Sequence, residues 1–534
     1  MDPPSVGRKA SLVMASQVVG GALGYLSILV IGRYFEPASY GAFLFAMGAL
    51  GLLGLLTNAG FNQAHVHFVA RGVDPARALG VYLPIRLALM AAMVAVAGLG
   101  YAVWFGLLGK SIADATTVPI LLAVLALQLV VAARQLASDT WLGREQVNRT
   151  ELIKTLDTVL ALAFLTALGL AIAGSQGRWT PVGGLAPWLA RVLGMGSPWS
   201  PAQAGLALAL AYVVAKLASL LPTAWWWLRD RVRPGPWDAA LARQYLAYAM
   251  PVALSGALAA LLSYTDVVML GYLKTAQEVG QYGMAQKLGS AVLVVVTAVS
   301  IPLLPRFSAL LHSGGEAEAR RTLERSERYL LLVAVPAGAA LATLASPILH
   351  VAVGDRFLGA AGPLRLLGVW SVLVAAISPV GTKVMGLGRS SPLLTTSLIS
   401  AGLNVPLNLW FIPDWGLGLG ATGAALATLL STALAFAYLR IVLRRKFSIP
   451  AWDPVLARMA VAGAGAGLFW WGALRWAGFA AFDRFWKLGL WGAAGTALFA
   501  LLAAGLGMLR RDDVQAVLRF ASPRGLWREL SGRR

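Results

Sequence analysis

The chain has 534 residues, of which 58% are hydrophobic and only 13% are charged, whereas about 25% of the residues of a soluble globular protein are charged. This composition excludes a disordered chain and argues against an ordinary soluble enzyme. The absence of cysteine excludes disulfides, thiolate metal sites and cysteine nucleophiles, and four histidines leave little for a histidine metal site. On a soluble chain the formal net charge of +21 would suggest nucleic-acid binding, so the positions of the charges decide what it means.

Apolar runs long enough to cross a bilayer recur along the whole chain. A bilayer core requires about 20 apolar residues per helix. Backbone that faces lipid must be helical or closed into a barrel, and the sequence lacks the short alternating strands of a barrel. We therefore predict an all-α integral membrane protein with fourteen transmembrane helices. The predicted spans are 12–33, 39–61, 79–108, 118–138, 152–173, 203–228, 245–273, 280–304, 329–350, 363–385, 392–412, 416–439, 455–474 and 488–509.

The basic residues between these spans indicate the orientation. With a cytoplasmic N-terminus, the inside connectors and tails hold 27 of the 44 arginines and lysines, and the outside connectors hold eight. Positive charge concentrates on the cytoplasmic side of membrane proteins. The sequence therefore predicts cytoplasmic N- and C-termini, and the net charge is explained by the anionic inner leaflet rather than by nucleic acid.

Two echoes at nearly the same offset indicate an internal duplication. Tyr40-Gly41 and Tyr282-Gly283 are 242 residues apart, and Leu142-Gly143-Arg144 and Leu387-Gly388-Arg389 are 245 apart. Six spans per repeat give two pseudo-symmetric bundles of the same topology, and two extra C-terminal helices follow them. The predicted domains are an N-terminal six-helix lobe at 1–228, a basic cytoplasmic linker at 229–244, a C-terminal six-helix lobe at 245–440, helices 13 and 14 at 441–509 and a basic cytoplasmic tail at 510–534.

Three cations within the predicted spans are candidate substrate ligands. Lys216 lies deep in the sixth span, and Arg86 and Lys287 lie about a third of the way into the third and eighth spans. One charge at a helix centre costs about 2.5–3.5 kcal/mol unless it faces water or a partner. We predict that they line a cationic cavity for an anionic lipid phosphate or pyrophosphate, the alternatives being snorkelling or structural ion pairs.

Other polar residues within the spans carry two interpretations each. Asp266 either pairs with a lysine or titrates and couples transport to protons or sodium. Asn404 and Asn408, at i and i+4, either form hydrogen bonds between helices or contact a sugar in a polar cavity. Lys154 and Asp157, at i and i+3, are expected to neutralise each other, and Arg134 is expected to snorkel.

Two stretches carry a pattern of glycines and short polar motifs. The first stretch has Gly32, Glu36-Pro37, Tyr40-Gly41 and Ala59-Gly60-Phe61, and the second has Asp266, Gly271, Val279-Gly280, Tyr282, Ala285, Lys287-Leu288, Pro302 and Pro305. With these motifs and the span count, residues 5–445 resemble the polysaccharide and O-antigen flippases, which belong to the multidrug/oligosaccharidyl-lipid/polysaccharide exporter superfamily. The motifs are helix-packing patterns and not catalytic signatures.

The resemblance implies two six-helix lobes in a V and alternating access. It also implies outward movement of a polyprenyl-(pyro)phosphate-linked oligosaccharide across the cell inner membrane, for cell-surface polysaccharide biosynthesis. In the related lipid-linked peptidoglycan-precursor flippases, cationic cavity residues engage the pyrophosphate, and only Lys287 offers a positional match. The implied partners are the lipid-linked oligosaccharide, membrane lipids, and a glycan polymerase or glycosyltransferases. No nucleic acid, cofactor, metal site or catalytic residue is expected.

Two other functions remain open. A cation-coupled multidrug or small-molecule antiporter of the same superfamily would usually have twelve spans and need buried carboxylates, and few are present. A membrane glycan polymerase or ligase would need a large outside loop with arginine, histidine or acidic residues. The longest outside loop, 174–202, has no acidic residue and no histidine. Walker, Rossmann and HExxH motifs are absent, so an ATP-driven pump and an enzyme are both disfavoured.

Overall fold

The computed structural model is helical in nearly all of the chain that it describes, and these parts contain no strand. The described residues are 3–58, 60–103, 117–176, 188, 190, 199–300, 303–312, 315–386, 391–447 and 454–508. The predicted basic tail at 510–534 lies outside the described residues. The helices fall into two compact units, Met1–Gly280 and Gln281–Arg534.

The first unit contains eight complete helices in the described residues. They are α1 Pro3–Tyr34, α2 Pro37–Asn58, α3 Phe61–Ala70, α4 Pro75–Ala102, α5 Thr117–Gly143, α6 Val147–Ser175, α7 Pro201–Asp230 and α8 Ala239–Leu273. Helix α2 packs against α4, α5, α7 and α8, while α6 packs against α1 and α7. The chain continues into α9, Ala276–Gly289, which crosses the boundary between the units.

The helices of the second unit surround α12 and α14, which pack tightly against each other. The set is α10 Ala291–Ser300, α11 Leu303–His312, α12 Glu316–Thr343, α13 Ala345–Val353, α14 Ala361–Gly386, α15 Ser391–Phe411, α16 Gly420–Phe447, α17 Pro454–Ala477 and α18 Phe485–Gly505. Helix α17 packs against α12, and α18 packs against α17. Trp470 is fully buried and donates a 2.7 Å hydrogen bond to the carbonyl of Trp491. The last two helices are therefore part of the core of this unit.

The observed helices agree with the predicted spans, with three exceptions. Eleven described helices are long and apolar enough to cross a bilayer, or twelve if α12 and α13, bent by 86° at Leu344, form one span. The predicted eighth span is divided into α9 and α10 at Ser290. The predicted eleventh span corresponds to α15, which has 21 residues but is not among the eleven helices that are long and apolar enough to cross a bilayer. The chain is thus an all-α integral membrane protein.

Helix α8 begins the predicted C-terminal lobe, but it packs within the first unit. It contacts α2, α3 and α4. The boundary between the compact units therefore lies at Gly280, later than the predicted lobe boundary at 245. The reason is close packing, because small residues on α2 admit the second half of α8: Gly48 lies against Val267, and Gly51 against the ring of Tyr264.

The closest approach in this region involves two glycines. A Cβ atom on Gly41 would lie 1.7 Å from the carbonyl oxygen of Ala276, and one on Gly280 would lie 1.9 Å from the oxygen of Pro37. Both obstacles are backbone atoms, which cannot rotate away. Only glycine permits this contact between the start of α2 and the start of α9.

We expect Gly41→Ala to destabilise the protein by about 1–3 kcal/mol or more, because the added methyl group overpacks a rigid backbone contact. The matched control is Gly54→Ala on the same helix, where a Cβ atom meets nothing within 4 Å. Thermal unfolding in detergent, followed by size-exclusion chromatography, measures both variants. Equal melting temperatures for the two would show that the contact is not tight in the folded protein.

Candidate functional site: a charged cluster within the bundle

Three charged side chains from three helices meet inside the first unit. The Nζ of Lys216 on α7 donates a 2.7 Å hydrogen bond to Oδ2 of Asp157 on α6. Nη1 of Arg134 on α5 lies 2.5 Å from the same oxygen. The Asp157 side chain is 3% exposed, that of Arg134 is 11% exposed, and that of Lys216 is 23% exposed. We refer to Arg134, Asp157 and Lys216 as the Arg–Asp–Lys cluster.

The Arg–Asp–Lys cluster carries one positive charge in excess, because one carboxylate faces two cations. Its hydrogen bonding is also incomplete within the described part of the chain, since buried Oδ1 of Asp157 and buried Nε of Arg134 have no partner there. Lys216 is at the middle of the 30-residue helix α7, where a charge is expensive in lipid. The arrangement can therefore bind a further anion through Lys216, which is its most exposed member.

Two sequence predictions about neighbouring residues were wrong. Lys154 does not neutralise Asp157, because its Nζ bonds Oε1 of Glu151 at 2.7 Å, one turn earlier on α6. Arg134 does not snorkel to the membrane surface, because the carboxylate of Asp157 holds its guanidinium inside the bundle. In both cases the side chain contacts a carboxylate that the sequence analysis did not assign to it.

Arg86 is placed differently from the prediction that it lines an open cavity. Its side chain is fully buried between α4 and α5. The guanidinium donates to the carbonyl of Ala132 at 3.3 Å and also to the side chain of Gln135. In this structure protein groups enclose the charge, because an arginine on the α5 face of α4 meets backbone and amide oxygens. Contact of Arg86 with a substrate stays a prediction.

Lys287 has the opposite environment. It lies on α9, and its side chain is exposed. Its Nζ makes no hydrogen bond or ion pair with any of the residues that the structure describes. An exposed lysine without a competing carboxylate is available to an anionic ligand, so the structure leaves the prediction for Lys287 open.

The three remaining predicted residues are buried. Asp266 lies on the half of α8 that packs against α2 and is 3% exposed. In the second unit, Nδ2 of Asn404 donates to Oγ1 of Thr428 at 3.3 Å, which links α15 to α16. Nδ2 of Asn408 donates to Oδ1 of Asn404 at 3.0 Å. Asn404 thus makes the interhelical hydrogen bond given as the first interpretation, whereas the bond from Asn408 stays within α15, and contact with a sugar stays a prediction.

The sequence analysis missed a buried polar network in the first unit. His65 on α3 contacts Tyr245 on α8 and Thr140 on α5, with both of its ring nitrogens at hydrogen-bond distance. A lone histidine on a short helix gives no periodic signal, so the network could not be read from the sequence. The described residues contain no group of three or more His, Cys, Asp or Glu side chains that could hold a metal ion.

Comparison with protein families gives two matches. The family model described as "Polysaccharide biosynthesis protein" matches residues 6–311, which is more than half of the chain. The family model described as "MatE" matches residues 251–410.

A curated relative and two solved structures are similar to most of the chain. The relative is the "Probable low-salt glycan biosynthesis flippase Agl15" of Haloferax volcanii, 21% identical over 427 residues, which are 80% of this chain and 81% of the relative. The structure of the "Lipid II flippase MurJ, inward closed conformation" has a TM-score of 0.64 and 11% identity, covering 93% of this chain and 99% of MurJ. An inward-facing multidrug resistance MATE family transporter of the MOP superfamily has a TM-score of 0.58 and 14% identity, covering 81% of this chain and 96% of the transporter. At these identities the two structures show a shared fold.

Proposed function

Because the chain belongs to the polysaccharide biosynthesis protein family, we propose that it is a flippase for lipid-linked glycans. It moves a polyprenyl-(pyro)phosphate-linked oligosaccharide from the inner to the outer leaflet by alternating access, for cell-surface polysaccharide biosynthesis. The observation that carries the proposal is the family match over residues 6–311. The name of the Haloferax relative, a probable glycan biosynthesis flippase, supports the same cargo class.

Two lysines, Lys216 in the first unit and Lys287 in the second, suit such a cargo. A pyrophosphate group in a membrane needs compensating cations, and lysine binds phosphate through charge-assisted hydrogen bonds. Lys216 is the most exposed member of the Arg–Asp–Lys cluster, which has one positive charge in excess, and Lys287 presents an exposed ammonium group. We propose that each of these two lysines binds phosphate. Arg86 is enclosed by protein groups, and its contact with phosphate stays a prediction.

The proposal includes an orientation and partners. The inside connectors carry most of the arginines and lysines, which supports cytoplasmic termini in the cell membrane. Enzymes that build and polymerise the glycan, namely glycosyltransferases and a glycan polymerase, are the partners that such a flippase serves. The chain itself acts as a transporter and not as an enzyme.

A second candidate is a cation-coupled antiporter for drugs or small molecules. The observation that favours it is the MatE match over residues 251–410. Such coupling would need a carboxylate that exchanges ions, and Asp266 is a buried carboxylate within that range. The two candidates differ in cargo, so one transport experiment separates them.

Reconstitution of the full-length protein into liposomes tests the proposal. The probe is a fluorescent polyprenyl-pyrophosphate-linked oligosaccharide, and an impermeant quencher reports which leaflet holds it. We expect the protein to bring the inner-leaflet pool to the quencher at least tenfold faster than protein-free liposomes do. Transport of a cationic dye driven by a proton or sodium gradient, without movement of the glycolipid, would instead establish the antiporter.

A further inference from the structure

A buried histidine contributes polar contacts to the docking of the first turns of α8 in the first unit. Nδ1 of His65 lies 3.0 Å from the hydroxyl oxygen of Tyr245, and Nε2 lies 2.9 Å from Oγ1 of Thr140. His65, Tyr245 and Thr140 are all fully buried. A single imidazole therefore connects three helices, α3, α5 and α8.

The hydrogen bonds determine the protonation state of this imidazole. The hydroxyl of Thr140 donates its only proton to the carbonyl of Leu136, at 2.8 Å. Its oxygen must then accept from His65, so Nε2 carries a proton. Nδ1 is left as the acceptor for the hydroxyl proton of Tyr245. The observed contacts thus fit neutral His65, in which Nε2 donates and Nδ1 accepts.

The surroundings of His65 also disfavour a positive charge on it. The ring of Tyr82 on α4 stacks on it with centroids 4.3 Å apart, and the Tyr82 hydroxyl donates to Asp139 on α5 at 2.7 Å. That bond occupies one oxygen of the Asp139 carboxylate, and Arg86 on α4 adds a positive charge near Tyr82. Helix α3 is not one of the candidate membrane spans. Burial lowers the pKa of His65 on this helix to about 3.

Apolar packing also holds this end of α8 against its neighbours. Leu241 and Tyr245 belong to a buried cluster with residues of α3 and α4, and the ring of Phe68 stacks on Tyr245 at 4.9 Å. Arg77 pairs with Asp238, the residue that caps α8, but the Arg77 side chain is 61% exposed. Pro251 follows within α8 and marks a place where the helix can bend. Loss of the contacts to His65 therefore weakens the docking of the segment from Asp238 to Met250.

We propose that His65 is the proton-binding site of a latch, which holds the first turns of α8 against α3, α4 and α5 when neutral and releases them when protonated. The latch depends on the packing of α8 and not on the nature of the cargo. It gives the protein a pH-sensitive conformational equilibrium that its family membership does not specify.

The direction of the pH effect follows from linkage. In the docked state the imidazole resists protonation, whereas in the released state water reaches it and its pKa returns to about 6.5. Above about pH 6.5 neither state binds the proton, and the docked state has its full advantage. Below about pH 6.5 only the released state gains a proton, so each further unit of acidification favours release by up to about tenfold.

Spin labels on α6 and α8 test the latch directly. The sequence has no cysteine, so Leu152→Cys and Leu246→Cys, both at exposed positions, label the full chain without background. Electron–electron double resonance in lipid nanodiscs measures their distance between pH 8 and pH 5. We expect a second, displaced population that grows on acidification below about pH 6.5.

Three substitutions make the experiment specific. His65→Gln cannot take up a proton in this range and should abolish the pH response. His67→Gln, on the same helix, should leave it unchanged. Tyr245→Phe removes the hydroxyl that opposes protonation and should raise the released population at every pH. A wild-type distance that does not change with pH, an unchanged response in His65→Gln, or a lost response in His67→Gln would each overturn the proposal. Because no transport is measured, failure here would not bear on the flippase assignment.

Discussion

Replacing Asp157 with asparagine is expected to destabilise the protein by about 3–5 kcal/mol, because it leaves Lys216 and Arg134 beside each other without their shared counter-charge. Breaking a buried ion pair by removing one partner costs more than the pair contributes. The introduced asparagine keeps the volume of the aspartate side chain, so the loss measures charge and not packing. Steric trapping or denaturant unfolding in lipid bicelles gives the free energy.

A second substitution identifies the origin of this loss. Lys216→Met in the Asp157→Asn background removes one of the two unpaired cations and keeps most of the apolar stem, so we expect it to restore part of the stability, while Arg134 still lacks a counter-charge. Lys154→Gln is the control for loss of a single lysine: Lys154 is 59% exposed, so breaking its pair with the largely buried Glu151 should cost less than breaking the Arg–Asp–Lys cluster. If the effects of Asp157→Asn and Lys216→Met are additive, the two side chains do not interact in the folded protein.

Lys287→Gln is expected to slow glycolipid flipping by about ten- to a hundredfold and to leave stability within about 0.5 kcal/mol of the wild type. A hydrogen bond to a charged group contributes about 1.5–3 kcal/mol, and an exposed side chain contributes little to folding. The liposome assay measures the rate, and thermal unfolding checks the fold.

The control for Lys287→Gln is again Lys154→Gln, which removes an exposed lysine from a different helix. Lys287→Arg should retain most of the rate, because it keeps a positive charge at the same position. Normal flipping by Lys287→Gln would remove this residue from the phosphate site without contradicting the flippase assignment. A melting temperature lowered by several degrees would instead show that Lys287 supports the structure.

Span positions could be predicted from hydropathy because lipid imposes one length and one secondary structure on every crossing. The interruptions were not predicted. Ser290 follows the end of α9 within an apolar run, and the chain turns by 86° at Leu344 between two helical segments. Gly289 at the end of α9 and Pro347 in the first turn of α13 are local signals that the sequence analysis did not use.

The partners of the charged residues were the least predictable part of the site. Helices that are apolar on all sides have no polar face to show their orientation, so the burial of Arg86 and the exposure of Lys287 were indistinguishable in the sequence. Asp157 meets Lys216 across 59 positions of the chain, whereas spacing rules see only its neighbours on α6. The existence of in-span charges was predictable from the sequence, and their partners required the structure.

The dense packing of α17 against α12 has a consequence for biogenesis. Leu331 and Val335 of α12 belong to the same buried cluster as Met459, Ala466 and Trp470 of α17. The ribosome synthesises α17 and α18 after α12. This face of α12 is therefore exposed to lipid until α17 has been inserted. A nonsense mutation or truncation before residue 454 should therefore yield a chain that inserts but fails quality control, rather than a smaller working transporter.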